Sequence, residues 1–202
     1  MIWETARDGL RRWRLRREQY TGGRAVLDGL YEREDPWRLD RRRERVRFTA
    51  TNAMLQAAVP ACGDLLELGS GEGHQTVRLA EVAARVTGIE ASAAAVARAV
   101  RRAPDARFLV GDAALAERLC KGLRFDAATA CELLYYLSDP AVVIATLQRL
   151  APVVLVTNYR PKSANLAPLL MGSGWRGLPD IVFDGCSWRC DLWVRDETQT
   201  DS

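Results

Sequence analysis

Lysine and histidine are nearly absent from this chain of 202 residues, which has two lysines, Lys121 and Lys162, and one histidine, His74. A phosphate-binding loop of the G-x-x-x-x-G-K-[ST] type needs a lysine after its last glycine, and no such sequence occurs. No apolar run approaches the roughly 18 residues of a membrane helix, and the start of the chain lacks the apolar segment of a secretory signal. The five cysteines include no C-x-x-C pair. These absences favour a cytoplasmic protein with reduced thiols.

The positive charge that is present comes mainly from arginine, and the arginines concentrate in residues 1–47 although the net charge is only +3. A basic segment of this kind can attract nucleic acid or an anionic membrane. Because no alternation of aromatic and basic residues follows, we expect a solvated surface, with neither nucleic acid nor a membrane as a partner. The composition leaves both a monomer and a homodimer open.

The order of strand-like and helix-like segments predicts one α/β domain over residues 40–195. Short apolar runs alternate with segments of helical periodicity, which is typical of a parallel sheet covered on both faces. Two final strand-like runs are joined by three residues and predict an antiparallel hairpin. We expect residues 1–39 to form a helical cap or lid and residues 196–202 to be disordered. The predicted strands are 64–68, 85–89, 107–110, 125–130, 153–157, 179–184 and 188–194, and the predicted helices are 40–59, 74–84, 93–102, 114–119, 140–150 and 164–171.

A glycine-rich stretch, L-L-E-L-G-S-G-E-G-H-Q-T over residues 65–76, follows the first predicted strand. A strand, a glycine turn and a helix start together form the geometry in which parallel sheets bind nucleotides. A nicotinamide fingerprint, G-x-G-x-x-G, would place its third glycine at position 74, which is His74. The spacing is E-x-G-x-G-x-G instead, from Glu67 to Gly73. Because a carboxylate would repel a phosphate, Glu67 favours a cationic ligand.

Two further acids stand at the ends of predicted strands. Glu90 ends the second strand, a position that suits hydrogen bonding to ribose hydroxyls. Asp112 ends the third strand in the stretch V-G-D-A, where it could accept a hydrogen bond from an adenine amino group. Three acids around one glycine loop predict a positively charged nucleoside as the ligand.

The loop, Glu90 and the V-G-D-A stretch together resemble the class I S-adenosylmethionine-dependent methyltransferases, over about residues 40–195. The resemblance implies a Rossmann-like fold with a seven-stranded, mostly parallel sheet and an antiparallel C-terminal hairpin. It also implies S-adenosylmethionine as the cofactor and S-adenosylhomocysteine as the product. The residues that we expect at the cofactor are Glu67, Gly69, Ser70, Gly71, Gly73, Glu90, Ala91, Gly111, Asp112, Ala113 and Cys131, with Trp37 covering it.

Two shorter stretches are similar to the nodulation N-methyltransferase family, whose members methylate a free amine on an oligosaccharide. One contains Asp35-Pro36-Trp37 and, further on, Glu44-Arg45 with Arg47, although Arg43 stands where the family has tyrosine. The other is C-E-L-L-Y-Y-L-S-D-P over residues 131–140, in which Cys131 replaces a serine. This resemblance implies N-methylation, without fixing the acceptor.

The residues after the fourth predicted strand are the leading candidates for catalysis. Methyl transfer is an in-line displacement that needs an unprotonated nucleophile, so a carboxylate or tyrosine at the cleft can orient an amine and take its proton. We expect Glu132 in this role and Tyr135 as a wall of the site. His74 is a second candidate base, because a helix N-terminus keeps its imidazole neutral. The expected substrate-binding residues are Tyr31, Asp35, Arg47, Tyr136 and Asn158; for Arg43 and Arg47 a solvated helix face is the favoured alternative.

Signatures of other methyltransferase chemistries are missing from the sequence. The [DN]-P-P-[YF] motif of DNA amino-methyltransferases does not follow the fourth strand, and two lysines cannot supply a K-D-K-E set. Glu132 and Asn158 alone do not form a metal site, so we expect no metal. The sequence therefore predicts N-methylation of a small amine, such as an amino sugar or a natural-product intermediate. The alternatives are O-methylation of a small molecule, or a cofactor-binding protein without catalysis whose arginine-rich arm docks on RNA or a protein.

Overall fold

The computed structural model describes residues 24–196, with side chains from residue 27 onward. Seven strands form one sheet in the order β3-β2-β1-β4-β5-β7-β6. Neighbouring strands are parallel except that β7 is antiparallel to both β5 and β6. The strands are β1 (Cys62–Leu68), β2 (Ala83–Glu90), β3 (Arg107–Val110), β4 (Ala127–Cys131), β5 (Val153–Tyr159), β6 (Trp175–Phe183) and β7 (Cys186–Val194). The predicted mostly parallel sheet and its C-terminal hairpin are confirmed.

Helices cover both faces of this sheet. They are α1 (Arg24–Leu30), α2 (Arg42–Ala58), α3 (His74–Leu79), α4 (Ala93–Arg102), α5 (Ala116–Leu119) and α6 (Pro140–Leu150). Short 3₁₀ turns follow β3, β4 and β5 at Ala113–Leu115, Leu134–Tyr136, Arg160–Lys162 and Ala164–Leu169. None of the helices in residues 24–196 is long and apolar enough to cross a bilayer.

The core forms because the central strands are apolar on both faces. Leu66 and Leu68 of β1 pack with Leu147 of α6 on one face, whereas Leu65 packs with Leu55 of α2 on the other. Successive side chains of a strand point to opposite faces, so the run L-L-E-L supplies both layers. Fully burying such a leucine contributes about 1.5–3 kcal/mol.

The structure corrects several predicted boundaries. The predicted helix 74–84 ends at Leu79, because residues from Ala83 onward pair with β1 as strand β2. Residues 164–171 form a 3₁₀ segment rather than an α-helix, since Pro168 lies inside it and lacks a backbone N–H. Strand β6 begins at Trp175, earlier than predicted; as an edge strand with a register shift it accommodates its proline.

The predicted helical cap lies only partly within the described residues. Residues 1–23 and the predicted disordered tail from residue 197 fall outside them. Within them, α1 is helical, but residues 31–40 form turns, with Asp35 and Arg38 in left-handed backbone conformations. We call residues 31–40 the cap segment.

The sheet topology also fixes where a ligand can bind. The chain moves outward from β1 to β2 and β3, and then returns to the other side of β1 with β4 and β5. Ligands of such sheets bind in the crevice at the carboxyl ends of the strands, where this order reverses. The loops after β1 and β4 flank that crevice.

Candidate active site

The glycine loop between β1 and α3 makes a tight turn that only glycine accommodates readily. Gly69, Gly71 and Gly73 have φ angles of 73°, 53° and 80°, a left-handed region that L side chains rarely adopt. The amides of Gly69 and Ser70 donate to the carbonyl of Ile89 over 2.8 and 3.2 Å. The loop is thus fastened to β2, and it forms a cradle with no side chain at three positions.

Glu67 at the end of β1 is turned into the protein. It is 4% exposed and accepts a hydrogen bond of 2.5 Å from Thr76 Oγ1. Burial raises the pKa of this carboxyl to about 8, against the opposing effects of Thr76 and Arg47. Near neutral pH it is therefore mostly protonated. The expectation that Glu67 attracts a cationic ligand by its charge does not fit this environment; a contact with the cofactor stays a prediction.

Glu90 holds the loop in place from the end of β2. One carboxylate oxygen accepts from the Gly71 amide (3.0 Å) and the other from the Ser92 amide (2.9 Å). Burial raises the pKa of Glu90, whereas these backbone donors lower it. Each oxygen retains a further lone pair, so the predicted hydrogen bonds to ribose hydroxyls are compatible with this position.

Asp112 lies at the end of β3 and is exposed. Its Oδ1 accepts from the Ala114 amide over 2.8 Å, and the preceding Gly111 amide donates to the Glu90 carbonyl over 2.9 Å. Ala91 and Ala113 are partly exposed beside them. Ser70 is buried, and its Oγ has no hydrogen-bond partner. The predicted residues at the ends of β1, β2 and β3 therefore line one continuous edge.

The cap segment closes over this edge. Tyr31 is 4% exposed, its hydroxyl accepts from Trp37 Nε1 (3.3 Å), and the same oxygen lies 3.2 Å from where a Cβ on Gly71 would stand. The Trp37 ring lies 5.6 Å from the Tyr136 ring, centroid to centroid. The cap segment thus spans from the glycine loop to the residues after β4.

Charged residues of the loop and α4 hold the cap segment down. Glu72 is 2% exposed and accepts from the Asp35 amide (2.8 Å) and from Arg98 (2.5 Å). Arg98 also donates to the Tyr31 carbonyl over 2.7 Å. Asp35 accepts from the Leu39 amide over 2.7 Å, so its carboxylate is occupied within its own turn. The predicted contact of Asp35 with substrate gains no support from this arrangement.

His74 faces the cap segment. The imidazole is buried, and its Nε2 lies 3.5 Å from Asp40 Oδ1 without a hydrogen bond to either ring nitrogen. Burial and the charge of Arg102 lower its pKa, which agrees with the predicted neutral form. His74, Asp35 and Glu72 form a group that could hold a metal ion, with ligand atoms within 4.8 Å of one another. A base role for His74 and a metal-free enzyme both stay predictions.

Glu132 occupies a strained position at the end of β4. Its φ angle is 60°, a conformation that costs a non-glycine residue about 1–3 kcal/mol. Its amide donates to the Thr157 carbonyl over 2.8 Å, which holds this turn against β5. Strain of this kind is typical of functional sites.

The Glu132 carboxylate is only half satisfied by the protein. Tyr135 donates to the Glu132 Oε2 over 2.9 Å, whereas Oε1 is buried without a hydrogen bond. The backbone N–H of Tyr159 lies near enough to lower the pKa of Glu132, but it does not form a hydrogen bond with Oε1. Burial raises the pKa of Glu132, and the charge of Arg47 opposes the rise. Burial and the charge of Glu132 raise the pKa of Tyr135 well above its usual value. Glu132 is therefore the proton acceptor of the pair and Tyr135 the donor.

Arg47 is a buried cation near the Glu132 carboxylate, and its charge lowers the pKa of that group. It is 2% exposed and donates to Glu44 Oε2 (3.0 Å) and to Gln75 Oε1 (2.9 Å). Gln75 in turn donates to Cys131 Sγ over 3.2 Å. The favoured prediction of a solvated face is wrong for Arg47, because the helix turns this residue into the interior. A buried guanidinium near Glu132 stabilises the ionised carboxylate.

Two further predicted residues complete the site. Asn158 on β5 is fully buried, and neither its Nδ2 nor its Oδ1 has a hydrogen bond. Tyr136 lies 4.5 Å from the Tyr135 ring, and burial raises its pKa to about 12. Lys162, which the sequence reasoning missed, lies with its Nζ 3.4 Å from the Tyr136 hydroxyl. Lys162 is one of only two lysines in the chain and follows the fifth predicted strand, and this is the sequence feature that could have marked it as a site residue.

A family model described as a methyltransferase domain matches residues 65–154, a range that runs from the glycine loop through Glu132 to β5. No curated protein matches the chain in sequence. The chain therefore contains a methyltransferase domain. Its sheet order and glycine loop are those expected from the resemblance to the class I S-adenosylmethionine-dependent methyltransferases.

The fold is similar to that of the N-methyltransferase NodS from Bradyrhizobium japonicum WM9, solved with S-adenosylhomocysteine. The two chains are 19% identical, with a TM-score of 0.72 over 89% of this chain and 99% of NodS. Magnesium protoporphyrin IX methyltransferase from Synechocystis PCC 6803, solved with S-adenosylmethionine, is 15% identical with a TM-score of 0.64, over 86% of this chain and 97% of the other. At these identities the likeness shows the fold.

Proposed function

We propose that this methyltransferase transfers a methyl group to the amine of a small molecule, with Glu132 as the residue that orients the amine and takes its proton. The observation that carries the proposal is the buried Glu132 Oε1 without a partner, beside an Oε2 fixed by Tyr135. Buried polar atoms are rarely left unpaired unless a ligand or water satisfies them. A carboxylate with one free oxygen suits an N–H donor.

The residues present fit the cofactor. The side-chain-free cradle of the glycine loop, Glu90 and the exposed Asp112 would hold its methionine, ribose and adenine parts respectively. Bound there, S-adenosylmethionine supplies a methyl group on a positively charged sulfur. Trp37 and Tyr31 would exclude water from above, since they lie over the loop.

The protein side of the reaction then follows from the acceptor residues. Glu132 would accept a hydrogen bond from the amine and so hold the nitrogen lone pair toward the methyl group that the bound cofactor would supply. The proton released from nitrogen passes to Glu132, whose raised pKa suits this transfer. Tyr135 keeps the carboxylate in place, and the charge of Arg47 favours its ionised form against the effect of burial, which raises its pKa.

Turnover with matched acceptors tests the proposal. Labelled methyl transfer from S-adenosylmethionine is measured into amines and their hydroxyl counterparts, for example glucosamine against glucose. Glu132→Gln keeps the shape but removes the base, and kcat should fall about 10²–10⁴-fold while cofactor affinity is unchanged. Glu117→Gln, at an exposed carboxylate paired with Arg149, is the control and should leave kcat unchanged.

Each other result identifies an alternative. Transfer to hydroxyl groups alone would favour O-methylation. Cofactor binding without turnover on any acceptor would favour a non-catalytic protein whose arginine-rich arm, residues 1–23, lies outside the described part. An equal loss of kcat in Glu117→Gln and Glu132→Gln would remove Glu132 from the mechanism. A cytoplasmic location is part of the proposal and is checked by fractionation of cells.

A further inference from the structure

We infer that the acceptor carries an acidic oxyanion, best a phosphate, which binds in a pocket of arginine side chains beside the amine site. This inference rests on the proposed function and names the substrate class of the same site. The arginine pocket is lined by Arg41, Arg42, Arg43, Phe183 and Asp184 and has a volume of about 320 Å³. Its function is not accounted for by cofactor binding or by proton transfer.

The pocket carries excess positive charge. Arg43 Nε donates to Glu44 Oε1 over 3.0 Å, but the other oxygen of Glu44 is already bound by Arg47. Within residues 24–196, neither Arg41 nor Arg42 forms an ion pair. Asp184, the one acid of the lining, forms none with described residues either. Three guanidinium groups therefore face the Asp184 carboxylate and one oxygen of Glu44, which leaves a net positive charge.

Arg41 and Arg42 are exposed, but Arg42 and Arg43 each have contacts within the protein. The guanidinium carbon of Arg42 lies 5.3 Å from the centre of the Phe183 ring. Arg43 Nη1 lies 3.8 Å from Cys186 Sγ, in addition to its bond to Glu44. Because these contacts restrict Arg42 and Arg43, binding of an oxyanion costs less of their side-chain conformational entropy. Arg41 is the N-cap of α2 and makes no side-chain cap, so backbone N–H groups add to the positive end.

The pocket lies at the same edge of the sheet as the amine site. Phe183 ends β6 and Asp184 lies in the turn before β7. Trp188 of β7 pairs with Tyr159 at the end of β5. On α2, Arg43 and Arg47 lie one turn apart, about 6 Å along the axis. Both bind Glu44, and Arg47 is close enough to Glu132 to affect its ionisation. In the proposed arrangement the acceptor would place its amine at Glu132 and its anionic group in the pocket.

Calorimetry with inorganic pyrophosphate tests the pocket without any acceptor. We expect the wild-type protein to bind pyrophosphate and Arg41→Gln/Arg42→Gln to weaken that binding at least 10-fold. The matched control is Arg124→Gln/Arg176→Gln, which removes the same charge from exposed positions outside the pocket. It should bind as the wild type does. Absent binding by the wild type, or equal weakening in both double variants, overturns the inference.

Turnover with paired amines tests the link to the acceptor. Labelled transfer is compared for glucosamine against glucosamine 6-phosphate, and for ethanolamine against phosphoethanolamine. We expect kcat/KM at least 10-fold higher for a phosphorylated member, and loss of that preference in Arg41→Gln/Arg42→Gln with cofactor affinity unchanged. Equal kcat/KM within both pairs, or a preference that survives the double substitution, means an adventitious anion only and overturns the inference. Absence of all turnover contradicts the proposed function instead. The calorimetric titration with pyrophosphate then tests by itself whether the pocket binds an anion.

Discussion

The two sides of the cleft differ in how far the protein satisfies its own polar groups. On the cofactor side, formed by the glycine loop, Glu67 and Glu90, each carboxylate has a partner inside the protein, and one buried side-chain atom, Ser70 Oγ, has none. On the acceptor side, formed by residues 131–136 and Asn158, three buried polar atoms have none: Glu132 Oε1 and both amide atoms of Asn158. Because an unpaired buried group costs about 1–3 kcal/mol, the acceptor side is poised for a polar ligand. The cofactor side depends mainly on the backbone conformation of the glycine loop.

The largest effect on binding should come from breaking the backbone shape of the cofactor side. Gly71→Ala puts a Cβ 3.2 Å from the Tyr31 hydroxyl at a φ of 53° and moves the amide that Glu90 holds. We expect affinity for S-adenosylmethionine to fall about 100-fold, roughly 3 kcal/mol, in a calorimetric titration. Gly122→Ala is the control, because its φ of 82° is equally unusual but nothing lies within 4 Å. A similar loss of affinity in both variants would show that general instability is the cause.

A second test uses pH on the cofactor side. The folded pKa of Glu67 is about 8, above that of an unfolded glutamate. Its contribution to stability is therefore complete below about pH 4 and is lost as pH rises toward 8. Glu67→Gln stays neutral, so the difference between its free energy of unfolding and that of the wild type should grow in favour of the variant by about 3–4 kcal/mol between pH 5 and 8. Urea titrations at several pH values measure this. Parallel pH profiles would contradict the assigned ionisation.

A smaller effect is expected on the acceptor side, where one substitution should raise the stability of the fold but weaken binding of the acceptor. Asn158→Leu removes two unpaired buried atoms, so the free energy of unfolding should rise by about 1 kcal/mol, whereas KM for the acceptor should rise about 10-fold. Asn52→Leu is the control, because Asn52 Nδ2 donates to the Arg78 carbonyl and its loss should destabilise the fold without changing KM. Lower stability of Asn158→Leu with an unchanged KM would mean that Asn158 has a structural role.

The sequence predicts the cofactor side better than the acceptor side. Strand alternation and the spacing of Gly69, Gly71 and Gly73 depend on local backbone geometry, which a single sequence records. The interior contacts are not recorded in this way. The hydrogen bond from Thr76 to Glu67 depends on how α3 packs against β1, and the burial of Arg47 depends on how α2 packs on the sheet. The composition of the arginine pocket depends on a contact between α2 and the turn before β7. Residues more than a hundred positions apart meet there, and no local pattern encodes it.

A crystal structure with S-adenosylhomocysteine and an amine acceptor tests the central claim most directly. We predict the homocysteine part in the cradle of the glycine loop, the ribose on Glu90, and the sulfur facing the acceptor amine. That amine should donate a hydrogen bond to Glu132 Oε1. A sulfur that faces His74, or an acceptor amine that binds away from Glu132, would contradict the account.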